Sequence, residues 1–444
     1  MPMVWAKISV TLQLNDTPYP FGILQRLKHC ISRSRNSLID LEVRCTRKIF
    51  DGLAGSSPAR QIMGALLEQA HRWRSLTYIQ AQGGRDEHYT LLEELDDYHT
   101  PCLRFLHVTL DHTVHVDDPE LPPIPLDVLS NVDELQLSGR EPRLLPVELF
   151  EDLQSSQITH LHLEVFSNVA LQLLTSCPQL ISAHFGIAHD PSADQASPAP
   201  SPRCAYILWL SLENTRTSGF DEVTKFLGRI TCPCIDSLII SYHPAPCASA
   251  PNPNPPNFPD AFKTFLERSD QRLRTFRSDG LPISDRDLVS ILRNMCCLHT
   301  LEVIDSDSAE NEKTALTSHT IRELSLWPRT STDSYPRTAS LVPELREIRL
   351  TVDKDWDDNA FESFLRSRAE WNLESAFLRV RSGVKGLDLV QLERVNNSKG
   401  PGELAVRVIE GEEGKEKEVV GYWAAPVVGL RKHGWRGLVE GNVR

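Results

Sequence analysis

A chain of 444 residues with 40% hydrophobic and 7% aromatic content can bury a large core, but it is too long for one compact globule unless it runs as a repeat array. Its 47 basic and 60 acidic side chains leave a net charge of −13, which argues against a nucleic-acid binder held by phosphate contacts. No apolar run approaches the ~18 residues of a membrane span, and residues 1–10 lack the basic-then-apolar order of a signal peptide.

In chain order, a short strand-like phrase recurs with apolar residues at its first, fourth and sixth positions. It reads Leu38-Ile-Asp-Leu41-Glu-Val43, Leu103-Arg-Phe-Leu106-His-Val108, Val132-Asp-Glu-Leu135-Gln-Leu137 and Ile158-Thr-His-Leu161-His-Leu163. It continues as Ile207-Leu-Trp-Leu210-Ser-Leu212, Ile235-Asp-Ser-Leu238-Ile-Ile240, Leu273-Arg-Thr-Phe276 and Leu298-His-Thr-Leu301-Glu-Val303. Ile321-Arg-Glu-Leu324-Ser-Leu326 and Leu345-Arg-Glu-Ile348-Arg-Leu350 follow, with degenerate copies near Leu76, Ala183 and Ala376. The fourth positions recur every ~28 residues, at the upper end of the leucine-rich-repeat range and enough for one strand, one helix and two turns. Apolar stripes at helical spacing lie between the phrases: Ile62/Leu66/Leu67/Ala70, Val223/Phe226/Leu227/Ile230, Leu288/Val289/Leu292/Met295 and Phe361/Phe364/Leu365. The predicted fold is therefore an α/β, leucine-rich-repeat-like solenoid over residues 1–395, with a curved, mainly parallel sheet and helices on its convex side.

A helix-end phrase also repeats: Ile31-Ser-Arg33-Ser34 precedes Leu38 as Leu266-Glu-Arg268-Ser269 precedes Leu273. A cation at the negative end of a helix explains the pair better than a phosphosite does. Residues 189–203 and 244–259 are rich in Pro, Ser and Asn and are expected to be disordered loops on one rim. The run Glu410-Gly-Glu-Glu-Gly-Lys-Glu-Lys marks residues 396–444 as an irregular charged tail.

Chemistry-bearing motifs are missing. There is no G-x-S-x-G, P-loop, G-x-G-x-x-G or H-E-x-x-H pattern, so no enzyme is expected. The ten cysteines form no C-x-x-C pair, and Cys232-Pro-Cys234 is a weak zinc signal; reduced thiols in a cytoplasmic or nuclear protein are the plain expectation. His107, His112 and His115 with Asp117 and Asp118 form the densest metal-capable group, but their spacing suits neither a helix face nor a strand face. Neither cofactor nor metal is expected.

Val4-Trp5-Ala-Lys-Ile8-Ser-Val10, the Cys30-to-Leu41 segment and Leu66-Leu67-Glu-Gln-Ala-His71-Arg72-Trp73-Arg74-Ser75-Leu76 together carry a family likeness. Over about residues 4–385 the chain resembles the repeat region of fungal F-box-like leucine-rich-repeat proteins. That resemblance implies a protein–protein interaction scaffold whose repeats hold the substrate of a ubiquitin ligase. The family's F-box, which binds a cullin-ligase adaptor, is expected upstream if it exists at all, because the chain opens where that module should have ended. Leu121-Pro-Pro-Ile-Pro-Leu-Asp-Val-Leu129 and Leu145-Pro-Val-Glu-Leu149-Phe150 mimic its opening but run into repeat strands, and are expected to be inter-strand loops and short helices. The alternative is a general repeat scaffold unrelated to ubiquitin.

The third, fifth and seventh positions of each phrase alternate away from the core. Candidate partner-binding residues on that face are His107, Gln136, His160, His162, Glu164, His184, Trp209, Glu213, Arg277, Trp327 and Arg349. Phe105, Glu134, Ser211, Glu302, Glu323 and Glu347 extend the ladder. Exposed large aromatics imply a covering partner or a shielding segment, and Trp and Arg are frequent hot-spot residues. His162 and His184 are expected on adjacent strands about 4.8 Å apart. Imidazoles that close resist joint protonation, so partner binding is expected to change near pH ~6.

Overall fold

The computed structural model describes residues 7–13, 22–46, 58–81, 95–111, 126–139, 157–188, 202–214, 220–242, 257–270, 272–305, 315–325, 341–352, 358–369, 373–380, 405–410 and 417–421. The chain divides into two compact units, residues 1–298 with 306–315 and residues 299–305 with 316–444.

Unit 1 holds ten strands among the described residues: β1 (Lys7–Gln13), β2 (Ile39–Thr46), β3 (Trp73–Ala81), β4 (Phe105–Asp111), β5 (Glu134–Gly139), β6 (His160–Phe166), β7 (Ser182–Ala188), β8 (Trp209–Asn214), β9 (Ser237–Tyr242) and β10 (Thr275–Asp279). Each pairs in parallel with the next. Helices α1 (Ile23–Ser34), α2 (Pro58–Leu67), α3 (Leu126–Leu129), α4 (Ser167–Ser176), α5 (Phe220–Leu227), α6 (Phe258–Arg268) and α7 (Asp285–Leu292) lie between or after them. Unit 2 runs β11 (Thr300–Ile304), α8 (Ser318–Leu324), β12 (Glu347–Val352), α9 (Asp358–Ala369), β13 (Ser375–Val380), β14 (Ala405–Glu410) and β15 (Lys417–Gly421). Strands β11 to β14 are parallel and β15 turns back antiparallel to β14. Parallel strands joined by helical crossovers in sequence order make an α/β, leucine-rich-repeat-like architecture.

Register explains the repeat. Leu41, Leu76, Leu106, Leu135, Leu161, Ala183, Leu210, Leu238 and Phe276 stand opposite one another on successive strands, forming one buried row. Because side chains alternate along a strand, a slip of one residue would turn every member of that row to the other face. The helical stripes close the other side of the core. Phe220, Phe258, Phe262 and Phe276 pack in sequence as neighbouring rings with centroids 4.7–5.6 Å apart. Helix α7 starts on a capping box: the Asp287 amide donates to Ser284 Oγ at 3.2 Å, and the Ser284 amide donates to Asp287 Oδ2 at 3.0 Å.

Several expectations need correction. Ile321-Arg-Glu-Leu324 is helix α8, not a strand. Apolar residues three apart fit a helix face as well as a strand phrase, and Thr317 caps the helix by accepting the His319 amide at 3.1 Å. Buried Leu316 and Ile321 fall at the two positions of a hydrophobic staple, which reinforces that start. In β2, Leu38 is 43% exposed while Ile39 is buried, because the pairing with β3 shifts register between Ile39 and Asp40. Residues 396–444 contain β14 and β15 rather than only an irregular tail. The described ends of the proline-rich segments are ordered rather than disordered: residue 202 is a buried proline, Arg203 bridges to Thr231, and Asn257 to Pro259 open helix α6. Pro259 near the helix start matches its missing amide. The segments between, the phrase at 145–150, and His112, His115, Asp117 and Asp118 lie outside the described residues.

The Arg-Ser helix ends are structural. Ser34 and Ser269 are fully buried, Ser34 Oγ accepting from Arg72 Nη2 at 2.6 Å and Ser269 Oγ from the Cys232 amide at 3.0 Å. Arg268 reaches back to the Leu227 carbonyl at 3.0 Å, the last residue of α5. Arg368 of α9 does the same for Leu324 of α8 at 2.8 Å, and also donates to Val342 and Leu341 carbonyls. Each guanidinium satisfies carbonyls that a preceding helix end leaves without intrahelical donors.

Candidate interaction face of unit 1

Turning the buried row inward turns the fifth positions outward. They form a second row in register: Thr77, His107, Gln136, His162, His184, Ser211, Ile239 and Arg277 on β3 to β10. His107, Gln136, His162 and His184 are half-buried. The His162 and His184 rings stand 4.0 Å apart, tilted by 60°, and His184 lies 6.5 Å from Trp209 at 21°. Trp209 is likewise half-buried, opening β8 beside the row.

Hydrogen bonds fix these rings. His184 Nδ1 meets Ser211 Oγ at 2.9 Å, and His184 Nε2 lies 3.7 Å from Glu213 Oε2. His107 Nε2 meets Thr109 Oγ1 at 3.0 Å, and Thr109 meets Ser138 Oγ at 3.0 Å. A ring nitrogen tied to a hydroxyl has a set orientation, which fixes the surface presented to a partner.

Burial dominates the electrostatics. It pushes His162 down to about 4, with further lowering by His184 and then His107. Burial also lowers His184 and His107, partly opposed by Glu213 and Glu134 respectively. The expected transition near pH ~6 is thus corrected for His162, which stays uncharged through that pH, mainly because water is withdrawn from the ring and only secondly because the imidazoles are neighbours; His107 and His184 are lowered in the same direction.

The other candidates divide. Glu164 and Glu213 flank Gly186 in register, the Glu164 side chain lying so close that a Cβ at Gly186 would sit 2.8 Å from Glu164 Cγ. His160 is exposed on the third-position row, with Nδ1 2.9 Å from Thr159 Oγ1. Arg277 lies two strands beyond Ser211 and pairs with Asp279 at 3.1 Å. Arg349 belongs to unit 2, where it pairs with Glu347 on its own strand at 2.7 Å. Glu323 sits on helix α8 rather than on a strand, and Trp327 lies outside the described residues.

Sequence reasoning missed Thr109 and Ser138, although both occupy the seventh position of their phrases. It also missed Ile181, Tyr206 and Leu208, exposed at 38%, 64% and 48%. The second position of each phrase was left unread, and that is where Ile181 and Leu208 fall. Among the described residues no group of three or more His, Cys, Asp or Glu is placed to hold a metal ion. Comparison with protein-family models and with curated proteins returns no match.

Proposed function

We propose that the protein is an interaction scaffold without a reaction of its own, holding a protein partner on the sheet face of unit 1. The observation that supports this most is the row from His107 to His184, continued by Trp209. Half-buried rings, with His107 and His184 fixed by hydroxyls, form a surface that is already partly desolvated, so little is lost when a partner covers it. Interface cores are depleted in charge and enriched in aromatic residues, and this row has that character. A parallel repeat sheet is compatible with such a role. No helix among the described residues is long and apolar enough to cross a membrane, and the reading is of a cytoplasmic or nuclear protein with no cofactor, nucleic acid or membrane as its ligand.

The resemblance of the strand and helix-end phrases to F-box-like repeat proteins supports a narrower form, in which the partner is a substrate presented to a ubiquitin ligase. Adaptor engagement then depends on an F-box encoded upstream. The test is capture of partners by the full chain, followed by affinity measurement with wild type and with Trp209→Ala/His162→Ala. Loss of at least tenfold in affinity is expected; unchanged affinity contradicts the proposal. Co-purification of a ligase adaptor and cullin with the product of the extended gene supports the narrower form, and their absence favours a general scaffold.

A further inference from the structure

The second-position row carries a pattern that the face alone does not explain. From β4 to β10 it reads Arg104, Asp133, Thr159, Ile181, Leu208, Asp236 and Arg274, linked by backbone bonds such as the Leu208 amide to the Ile181 carbonyl at 2.9 Å. At both flanks the charges close on each other, Arg104 to Asp133 and Arg274 to Asp236, each at 3.7 Å. In the centre the row turns apolar and stays exposed. The Trp209 amide also donates to the Ile181 carbonyl, which ties the starts of β7 and β8 together. Tyr206, just before it, opens onto a cleft of about 190 Å³ lined also by Pro178, Leu180, Pro202, Arg203 and Ile207. Exposed apolar side chains on neighbouring strand starts, bounded by an ion pair on each flank, suit a docking surface better than a random scatter of leucines.

Charge decides what docks. On the face above the patch, β5 to β10 carry Glu134, Glu164, Glu213 and Asp279, while Arg277 is held by Asp279. The histidines of β4, β6 and β7 that face these carboxylates, His107, His162 and His184, are kept uncharged by burial and add no positive charge at neutral pH. An acidic face beside an apolar patch complements a segment with an apolar anchor and cationic neighbours, and it would repel an acidic one. The Trp209 ring, 6.5 Å from His184, also offers a π-face to a Lys or Arg side chain.

We infer that the partner's docking segment is basic, its apolar anchor resting on Ile181, Leu208 and Tyr206 while Lys or Arg side chains meet Glu164 and Glu213 further along β6 and β8. This rests on the interaction-face reading and adds the chemistry of the partner.

The test uses the full chain and two labelled twelve-residue peptides with the same Leu anchors, one carrying Lys and the other Glu between them, read by fluorescence anisotropy. The Lys peptide is expected to bind and the Glu peptide not. Ile181→Ser/Leu208→Ser and Glu164→Gln/Glu213→Gln should each weaken the Lys peptide at least tenfold. Glu344→Gln/Glu374→Gln, the same charge change at exposed positions in unit 2, should leave it within twofold. Equal losses from the unit 2 pair, no loss from either unit 1 pair, no binding of the Lys peptide, or preference for the Glu peptide overturns the inference. A Glu peptide that binds but is lost in Trp209→Ala would keep the face and refute only its charge preference. If the captured cellular partner is indifferent to Trp209→Ala/His162→Ala, the face reading itself falls.

Discussion

The outward faces of the two units solve the same geometric problem with different chemistry. In unit 1 the outward row from β4 to β7 is built of half-buried imidazoles and an amide, with His107 and His184 anchored to hydroxyls on the same or the next strand. In unit 2 the corresponding position holds Glu302 opposite Arg349, and Arg349 folds onto Glu347 with its side chain 52% exposed. An exposed ion pair of that kind contributes little net stability and keeps its water. Ring rows that shed water and paired charges that retain it are the difference on which the proposed contact face of unit 1 rests. The same two units share their inward chemistry, since Leu161 and Leu301 occupy equivalent buried phrase positions, 3% and 0% exposed.

The shared core gives the largest predicted effect. Leu161→Asp and Leu301→Asp each remove about 1.5–3 kcal/mol of apolar burial and place a carboxylate where it has no partner, which costs more. Each should abolish the cooperative melt of its own unit in calorimetry. A single unshifted transition in either variant would break the equivalence of the two cores.

Next come the arginine clasps, where the units differ. Arg368 is 1% exposed and serves three carbonyls, and burial lowers it to about 10. Arg368→Ala should cost about 3 kcal/mol or more, since each bond to a charged donor is worth about 1.5–3 kcal/mol. Arg268, half-buried, gives one such bond across helices, so Arg268→Ala should cost about 1.5 kcal/mol, the low end of the same range. Equal losses in urea melts would show that burial is not what separates them.

Acid titration should distinguish the faces at intermediate size. The unfolded histidines take up protons near pH ~6.5, whereas folded His162 does so only at about 4. Between those values the unfolded chain binds more protons, so stability is complete above pH ~6.5 and declines as pH falls towards about 4. His162→Gln should flatten that decline in unit 1. Retention of the wild-type slope would assign the acid sensitivity elsewhere.

The smallest effect concerns Gly186. A methyl there would sit 2.8 Å from Glu164 Cγ and must turn that side chain away, so Gly186→Ala should cost about 1 kcal/mol, the low end for overpacking. It should nevertheless weaken binding of the Lys peptide. An unchanged peptide affinity would remove Glu164 from the contact.

Legibility of this molecule in its sequence follows the physics. Strands were readable because each lays Leu, Ile or Val at fixed offsets, and even the degenerate copy at Ala183 falls in register with Leu161 and Leu210. Helix α8 was misread because Ile321 and Leu324 satisfy both periods, and only the Thr317 cap separates them. The ring row from His107 to His184 followed directly from alternation. What alternation could not show was how far burial silences those imidazoles, which depends on neighbouring strands. Nor could it show that Ile181 and Leu208 stand exposed, because second-position residues sit where the strand begins and follow no period.

The account rests on the unit 1 face being the contact surface, and covalent footprinting of the full chain with and without its captured partner tests that most directly. Histidine and carboxyl labelling should fall at His162, His184, Glu164 and Glu213 on binding, while Glu302, Glu344 and Glu347 of unit 2 label as before. Protection confined to unit 2, with unit 1 labelled equally in both states, would contradict it.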